Sequence, residues 1–313
     1  MTYKATPQVD QAMSLQEYVD YVYSNIDILD IDSLKETAWA LKALSNYGED
    51  IVDGVNAGLQ RFVTDPFNRS IFTPHSVILA SERGFVVRAN LWVRPSNNPA
   101  LAEIEIPLFS YETPHDHNFH LVTVGHLGSG YETELYTYEH SKVLGYPGEP
   151  VHINYLGKER LGKGDVMVYE AGVDIHRQLF PAESSVSINL LINHDEMRAR
   201  PQYLFDVENS TIARHFADDQ IYARNSLLKF ATELHNDETR NLLLDIAREN
   251  DCFRTRAHAL LAFTRIAPND QTLAENLAHR DSHQATGRYF DAMRKFGEMG
   301  LGGRTLIQPL LDE

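Results

Sequence analysis

From about Ile71 to Leu204 the chain reads as short apolar, β-branched runs broken by turn residues, and this texture limits the fold more than any other feature. The runs are SVILAS, GFVVRANLWVR, HLVTVGHL, ELYTYE, VHINYLG, DVMVYEAG and SVSINLLI, punctuated by RPSNNP, GSG, GYPGEP and GKGD. Many short strands at close spacing make an antiparallel sandwich or barrel, not a parallel α/β sheet. On both sides the apolar period lengthens to three and four residues. LQEYVDYVYSNI, SLKETAWALKAL and GEDIVDGVNAGLQRFV precede the strands, with Ser14 and Asp32 or Ser33 as N-caps and Asp65-Pro66 as the closing turn. After Asp206 come DDQIYARNSLLKFATEL, ETRNLLLDIAREN, FRTRAHALLAFTRI, QTLAENLAHR and SHQATGRYFDAMRKFGEM, joined by short links that favour antiparallel helix pairs. No fixed period marks them as a helical repeat. The expected fold is α+β: a helical segment over residues 1–68, a central antiparallel β-barrel of jelly-roll type over 69–205, and a helical domain over 206–313.

Charge and cysteine usage narrow the function. With 44 acidic and 28 basic residues the formal net charge is -16, which leaves no basic face for nucleic acid or an anionic membrane. No run approaches the roughly 18 apolar residues of a membrane span. The start, MTYKATPQVDQAMS, lacks the apolar core of a secretory signal, so a cytoplasmic location is expected. Cys252, in ENDCFRTR, is the single cysteine. That excludes an intrachain disulfide and a Cys-rich zinc or iron–sulfur site. GxGxxG with a following ribose-binding acid, a P-loop, GxSxG and HExxH are all missing, and the C-terminal GLGGR has no strand before it.

The chemistry concentrates in PHDHNFHLVTVGH, residues 114–126, with four histidines. Residues two apart on an extended strand share a face, so His115 and His117 project together. A third imidazole is available in GKGDVMVYEAGVDIHRQ, where a Gly-Asp opening, a strand and a glycine turn lead to His176. HxH alone is a weak signal; HxH followed by this second unit is more specific. Strand alternation turns His120 away from His117, and His126, between Gly125 and LGSG, reads as a turn residue.

PHDH and GDVMVYEAGVDIH resemble the two metal-binding motifs of the cupin superfamily. The glutamate usual after the second histidine is absent, with Leu121 and Val122 in its place. Within cupins, this pattern is similar to the cysteine dioxygenase-like thiol dioxygenases, which hold iron with three histidines. The resemblance covers residues 80–195. It implies a cupin barrel, metal ligation by His115, His117 and His176, and Arg88 in VVRANLWV, 27 residues before His115, as a substrate-carboxylate contact. The animal-type cysteine, which crosslinks to a tyrosine, corresponds to Val122, so that crosslink cannot form here.

Three neutral imidazoles without a carboxylate suit Fe(II) first, with Zn, Ni and Cu fitting the same donors. Three ligands on one face leave positions open for catalysis. A non-haem iron oxygenase acting with O2 on a small, polar, carboxylate-bearing thiol or amino-acid derivative is the leading expectation. His120, Tyr131, Arg177 and Gln178 are the expected supporting residues. Arg88 shares a face with Asn90, Trp92 and Arg94, which lines either the barrel interior or solvent; Asn189 reads as structural. A redox-neutral metal-dependent lyase or isomerase, or a non-catalytic binding cupin, remains open, as does a homodimer built through the helical segments.

Overall fold

The computed structural model describes all residues except 1, 65–71, 74, 199, 216–219, 282–283 and 299–313. The Asp65-Pro66 turn and the GLGGR tail therefore lie outside the described residues. The chain divides into two compact units, residues 1–141 with 152–210 and residues 142–151 with 211–313.

The first unit opens with β1 (Tyr3–Ala5), α1 (Leu15–Asn25), α2 (Ile31–Glu36), α3 (Trp39–Asn46) and α4 (Glu49–Thr64). Ser14 caps α1 through a reciprocal box with Glu17. Asp30, not Asp32 or Ser33, caps α2 by accepting from Asp32 N–H. Ser33 lies inside the first turn, where its hydroxyl accepts from Asp27 N–H instead. Then follow β2 (Phe72–Thr73), β3 (Ser76–Glu82), β4 (Phe85–Trp92), α5 (Pro99–Leu108), β5 (Leu121–Leu127), β6 (Tyr131–Thr137), β7 (Asn154–Leu161), β8 (Val166–Tyr169), β9 (Asp174–Gln178), β10 (Ser185–Ile192), α6 (Asp195–Arg198) and β11 (Tyr203–Asp206).

These strands form a seven-stranded sheet, ordered β1-β8-β5-β10-β4-β3-β2, and a three-stranded sheet, β7-β6-β9. Every pairing within them is antiparallel. Within this unit the ladders of the described residues make these two sheets and not the single closed barrel expected. Side-chain alternation divides the large sheet into two faces. Val87, Val122, Val168 and Ile188 point outward and share a core with Tyr18, Leu34, Leu41 and Leu44 of the helices. Trp92, Leu121, Met167 and Tyr169 point inward and meet Tyr131 and Leu135 of the small sheet. Trp92 and Tyr131 rings approach to 4.6 Å between centroids.

The GSG turn between β5 and β6 sets how closely the two sheets join. Gly130 has φ +76, and an added Cβ would stand 1.9 Å from the Leu161 carbonyl oxygen. Both the left-handed backbone and the backbone-to-backbone approach demand glycine there. Gly130→Ala is expected to cost about 2–4 kcal/mol of stability. A denaturant midpoint unchanged from the parent would refute this.

The second unit contains β12 (Thr211–His215) and five described helices: α7 (Gln220–Glu233), α8 (Asp237–Glu249), α9 (Phe253–Ile266), α10 (Gln271–Arg280) and α11 (Gln284–Glu298). They coincide with the five helical stretches in the sequence. The α9 helix is central, burying Ala257, Leu260 and Phe263 against the others. Cys252 immediately precedes it as a partly exposed free thiol. Among the described residues no helix is long and apolar enough to cross a membrane.

Candidate metal centre

The approach to the HxH segment is backbone under strain. Ser110 and Glu112 have φ of 55° and 53°, on either side of the fully buried Tyr111. Non-glycine residues in this region cost of order 1–3 kcal/mol each and persist where surrounding contacts fix them. Tyr111 supplies such contacts, donating its hydroxyl to Val93 O at 2.8 Å and stacking on Phe109.

His115 and His117 do not sit on a regular strand. His115 forms an isolated bridge with His176, each donating its backbone N–H to the other's carbonyl, and β5 begins only at Leu121. His176 is central in β9, reached through the turn whose Gly172 N–H donates to His117 O at 2.9 Å. The two motifs are thus tied directly by backbone hydrogen bonds, and their side chains converge. His176 Nε2 lies 3.1 Å from His115 Nε2 and 2.9 Å from His117 Nε2. All three residues are buried, and their ligand atoms lie within 4.8 Å of one another.

At most one of these nitrogen contacts is a hydrogen bond. His115 Nδ1 faces the Thr113 carbonyl at 2.7 Å and donates to it, so a neutral His115 presents a lone pair at Nε2. His176 Nδ1 lies 3.2 Å from the Gln178 amide, and Gln178 Oε1 is otherwise a buried acceptor without a partner. With the amide oxygen toward His176 Nδ1–H, both groups are satisfied and His176 also presents a lone pair at Nε2. Two lone pairs 3.1 Å apart repel unless a cation lies between them. Burial, before any other cause, pushes His115 down to about 4 and holds His117 and His176 well below the ordinary imidazole range. Protons therefore do not supply that cation near neutrality. Two imidazoles on one ion at about 2.1 Å and 90° stand about 3.0 Å apart, matching both contacts.

The rings are held from behind. Phe119 stacks on His117 at 4.3 Å and Tyr169 packs on His176 at 4.7 Å. Asp116, the residue between the two histidines, is fully buried and accepts from Tyr138 O–H at 2.5 Å and from Tyr203 N–H at 2.7 Å. Gln202 Nε2 donates to Asp116 O at 2.7 Å and stands 3.3 Å from His117 Nδ1. Asp116, Thr113 and Gln202 were not candidates from the sequence. A carboxylate between two inward histidines has to turn away from them, and nothing local reveals that Tyr138 and Tyr203 receive it.

The other candidate residues are dispersed. Gln178 touches His176 directly. His120 accepts from Ala171 N–H at 3.0 Å, bracing the turn before β9 rather than the imidazoles. Tyr131 lies on the inner wall, where burial raises its phenol and the Arg88 charge offsets part of that. Arg177 faces away, paired with Glu134 at 2.6 Å and Glu208 at 3.0 Å, because its neighbour His176 takes the inward side of β9. His126 belongs to β5 rather than a turn, its Nδ1 within 3.0 Å of the Ser45 hydroxyl. Arg88 faces inward with Asn90 and Trp92, close enough to His117 for its charge to disfavour protonation there.

Two antiparallel sheets, with three histidines converging between their strands, define the class of site. No family model and no curated protein matches the chain. Among solved structures, similarity is recorded to the DMSP lyase DddQ from Ruegeria pomeroyi DSS-3, at 13% identity and a TM-score of 0.23 over 39% of this chain and 47% of that one. Hydroquinone 1,2-dioxygenase from Sphingomonas sp. TTNP3 gives 10% identity and a TM-score of 0.27 over 42% and 72%. KdgF from Halomonas sp. gives 18% identity and a TM-score of 0.23 over 41% and 88%. The chain thus spans about half the length of the lyase.

Proposed function

We propose that the protein is a metal-dependent enzyme of the three-histidine cupin type: an iron(II) oxygenase that takes O2 and a small carboxylate-bearing molecule. The observation that supports it is the convergence of buried, neutral Nε2 atoms at 2.9 and 3.1 Å. His115, His117 and His176 would hold the ion, and an iron(II) ion with open positions supplies the means of activating O2. The chain's own groups do the rest. Thr113 O and the Gln178 amide fix which nitrogen of His115 and His176 faces the centre. Phe119 and Tyr169 keep water from the back of two imidazoles. Arg88 brings a fixed positive charge to the inner wall, where a substrate carboxylate meets it through paired hydrogen bonds.

The test is elemental analysis of parent and His176→Ala protein, followed by oxygen uptake with a panel of carboxylates. About one equivalent of iron in the parent, lost in the variant, together with substrate-dependent uptake, is expected. Bound metal with turnover that ignores O2 would replace the oxygenase with a lyase or isomerase. No metal after reconstitution with iron(II) would overturn the enzyme reading.

A further inference from the structure

Two of the three imidazoles turn their outer nitrogen toward a hydrogen-bond acceptor. His115 Nδ1 faces Thr113 O at 2.7 Å, and His176 Nδ1 meets the Gln178 amide at 3.2 Å. His117 differs. Its Nδ1 stands 3.3 Å from Gln202 Nε2, and the same Nε2 donates to Asp116 O at 2.7 Å. Turning the Gln202 amide over would set its oxygen 2.7 Å from a carbonyl oxygen, acceptor against acceptor, so the NH2 end is the one that faces both groups. An amide NH2 only donates. A neutral His117 therefore meets Gln202 with a lone pair at Nδ1 and carries its proton on Nε2.

The inner side of the ring agrees. His117 Nε2 lies 2.9 Å from His176 Nε2, which presents a lone pair. A proton on His117 Nε2 makes this contact the one hydrogen bond that the three converging nitrogens can contain. The chain then runs from Gln202 N–H to His117 Nδ1, from His117 N–H to His176 Nε2, and from His176 N–H to the Gln178 oxygen. It leaves His117 without a lone pair for an ion. Ligation through Nε2 needs the proton on Nδ1, where it would face a donor. Nor is Gln202 loosely held, because the backbone on both sides of it is tied to the HxH segment. Asn118 Nδ2 donates to Arg200 O at 3.1 Å, Asp116 N–H to Tyr203 O at 3.2 Å, and Phe205 N–H to Pro114 O at 2.9 Å. The Phe119 ring, stacked at 4.3 Å, holds the imidazole itself.

We infer that Gln202 is a positioning residue that latches His117 in the tautomer unable to bind a metal, and that loading the centre requires its amide to leave Asp116 O and turn its oxygen to His117 Nδ1–H. The ring stays neutral throughout: one proton leaves Nε2 for water and one arrives at Nδ1, with no net uptake. The latch sets metal affinity below what the three histidines alone would give, so removing it tightens binding. A residue that merely supported His117 would weaken binding when removed. Metal loading rests on the enzyme reading above; the tautomer does not.

The experiment uses the full chain with 15N-labelled histidine. Long-range proton–nitrogen spectra report which ring nitrogen carries each proton, with His117 assigned by its loss in His117→Asn, and calorimetric titration with Zn2+ against a competing chelator reports affinity. In the metal-free parent His117 is expected to carry its proton on Nε2. Gln202→Met removes the donor and is expected to tighten zinc binding about 5- to 50-fold. Gln202→Glu keeps side-chain shape and replaces the donor by an acceptor, so it is expected to move the His117 proton to Nδ1 in the metal-free protein; if Gln202→Met fails to fold, this shift decides. A His117 proton on Nδ1 in the metal-free parent, zinc bound no more tightly by Gln202→Met than by the parent, or a Glu variant whose His117 proton stays on Nε2 would each overturn the latch. Tight zinc binding with His117 already protonated on Nδ1 sinks the latch and leaves the enzyme reading. A protein that takes no metal while His117 holds its proton on Nε2 sinks the enzyme reading and leaves the tautomer assignment.

Discussion

Asp116→Ala is expected to destabilise the first unit by roughly 3–5 kcal/mol and to weaken metal binding 10- to 100-fold. The carboxyl group is fully buried, and its two oxygens accept from Tyr138 O–H and Tyr203 N–H. Removing it strands two buried donors, each worth about 1–3 kcal/mol when left unsatisfied, and opens a cavity besides. The same carboxyl fixes the backbone between His115 and His117, so its loss also frees both imidazoles from their common direction. Tyr138→Phe provides the control. It removes one donor, leaves the Tyr203 bond in place, and is expected to cost only about 1–2 kcal/mol with metal affinity within a fewfold of the parent. Urea denaturation and competitive chelation measure the two effects separately. An Asp116→Ala protein with parental midpoint and parental metal affinity would refute the positioning role.

The legible part of this site is the part encoded by local period. HxH and the glycine turn before His176 are short-range patterns, and the structure brings those three histidines together. The two faces of β4 are likewise readable from the alternation of Arg88, Asn90 and Trp92 against Val87 and Ala89, but which of them faces inward is not. What the sequence conceals is long-range pairing. Asp116 meets Tyr203 across 87 positions, and Asn189 meets Arg88 only through strand register. Helix α5 was also hidden: PALAEIEIPL places prolines at both ends, and its apolar side chains follow no helical period that buries a face. It forms because Asn98 caps it, accepting from Ala100 N–H, and Pro99 fits the first turn. His126 was misplaced for the opposite reason. The glycines around it suggest a turn, yet Gly125 is there because Gly162 O would lie 2.0 Å from any Cβ.

Acid is expected to release the metal by unfolding the protein, not by protonating the site in place. A folded-state value of about 4 for His115, against the ordinary 6.5, means the native state binds fewer protons than the unfolded chain between those pH values. Stability therefore rises with pH across this window. The contribution is complete above about pH 6.5 and is lost as pH falls toward 4, amounting to roughly 3 kcal/mol for this one group. Burial pushes His117 and His176 in the same direction, so their contributions carry the same sign. Against a typical total of about 5–15 kcal/mol, the His115 contribution alone is a large fraction, and the other two add to it with the same sign, so acid favours unfolding of the metal-free unit. A bound ion adds stability by mass action and moves the transition to lower pH. An exposed three-histidine site behaves differently, losing affinity roughly thousandfold per pH unit below 6.5 while its fold survives. Metal release and loss of far-ultraviolet dichroism, followed in one titration, should thus coincide, with the metal-free protein unfolding at the higher pH. Release near pH 6 with the dichroism intact would show that protons reach the imidazoles in the folded state, and that burial does not hold them neutral.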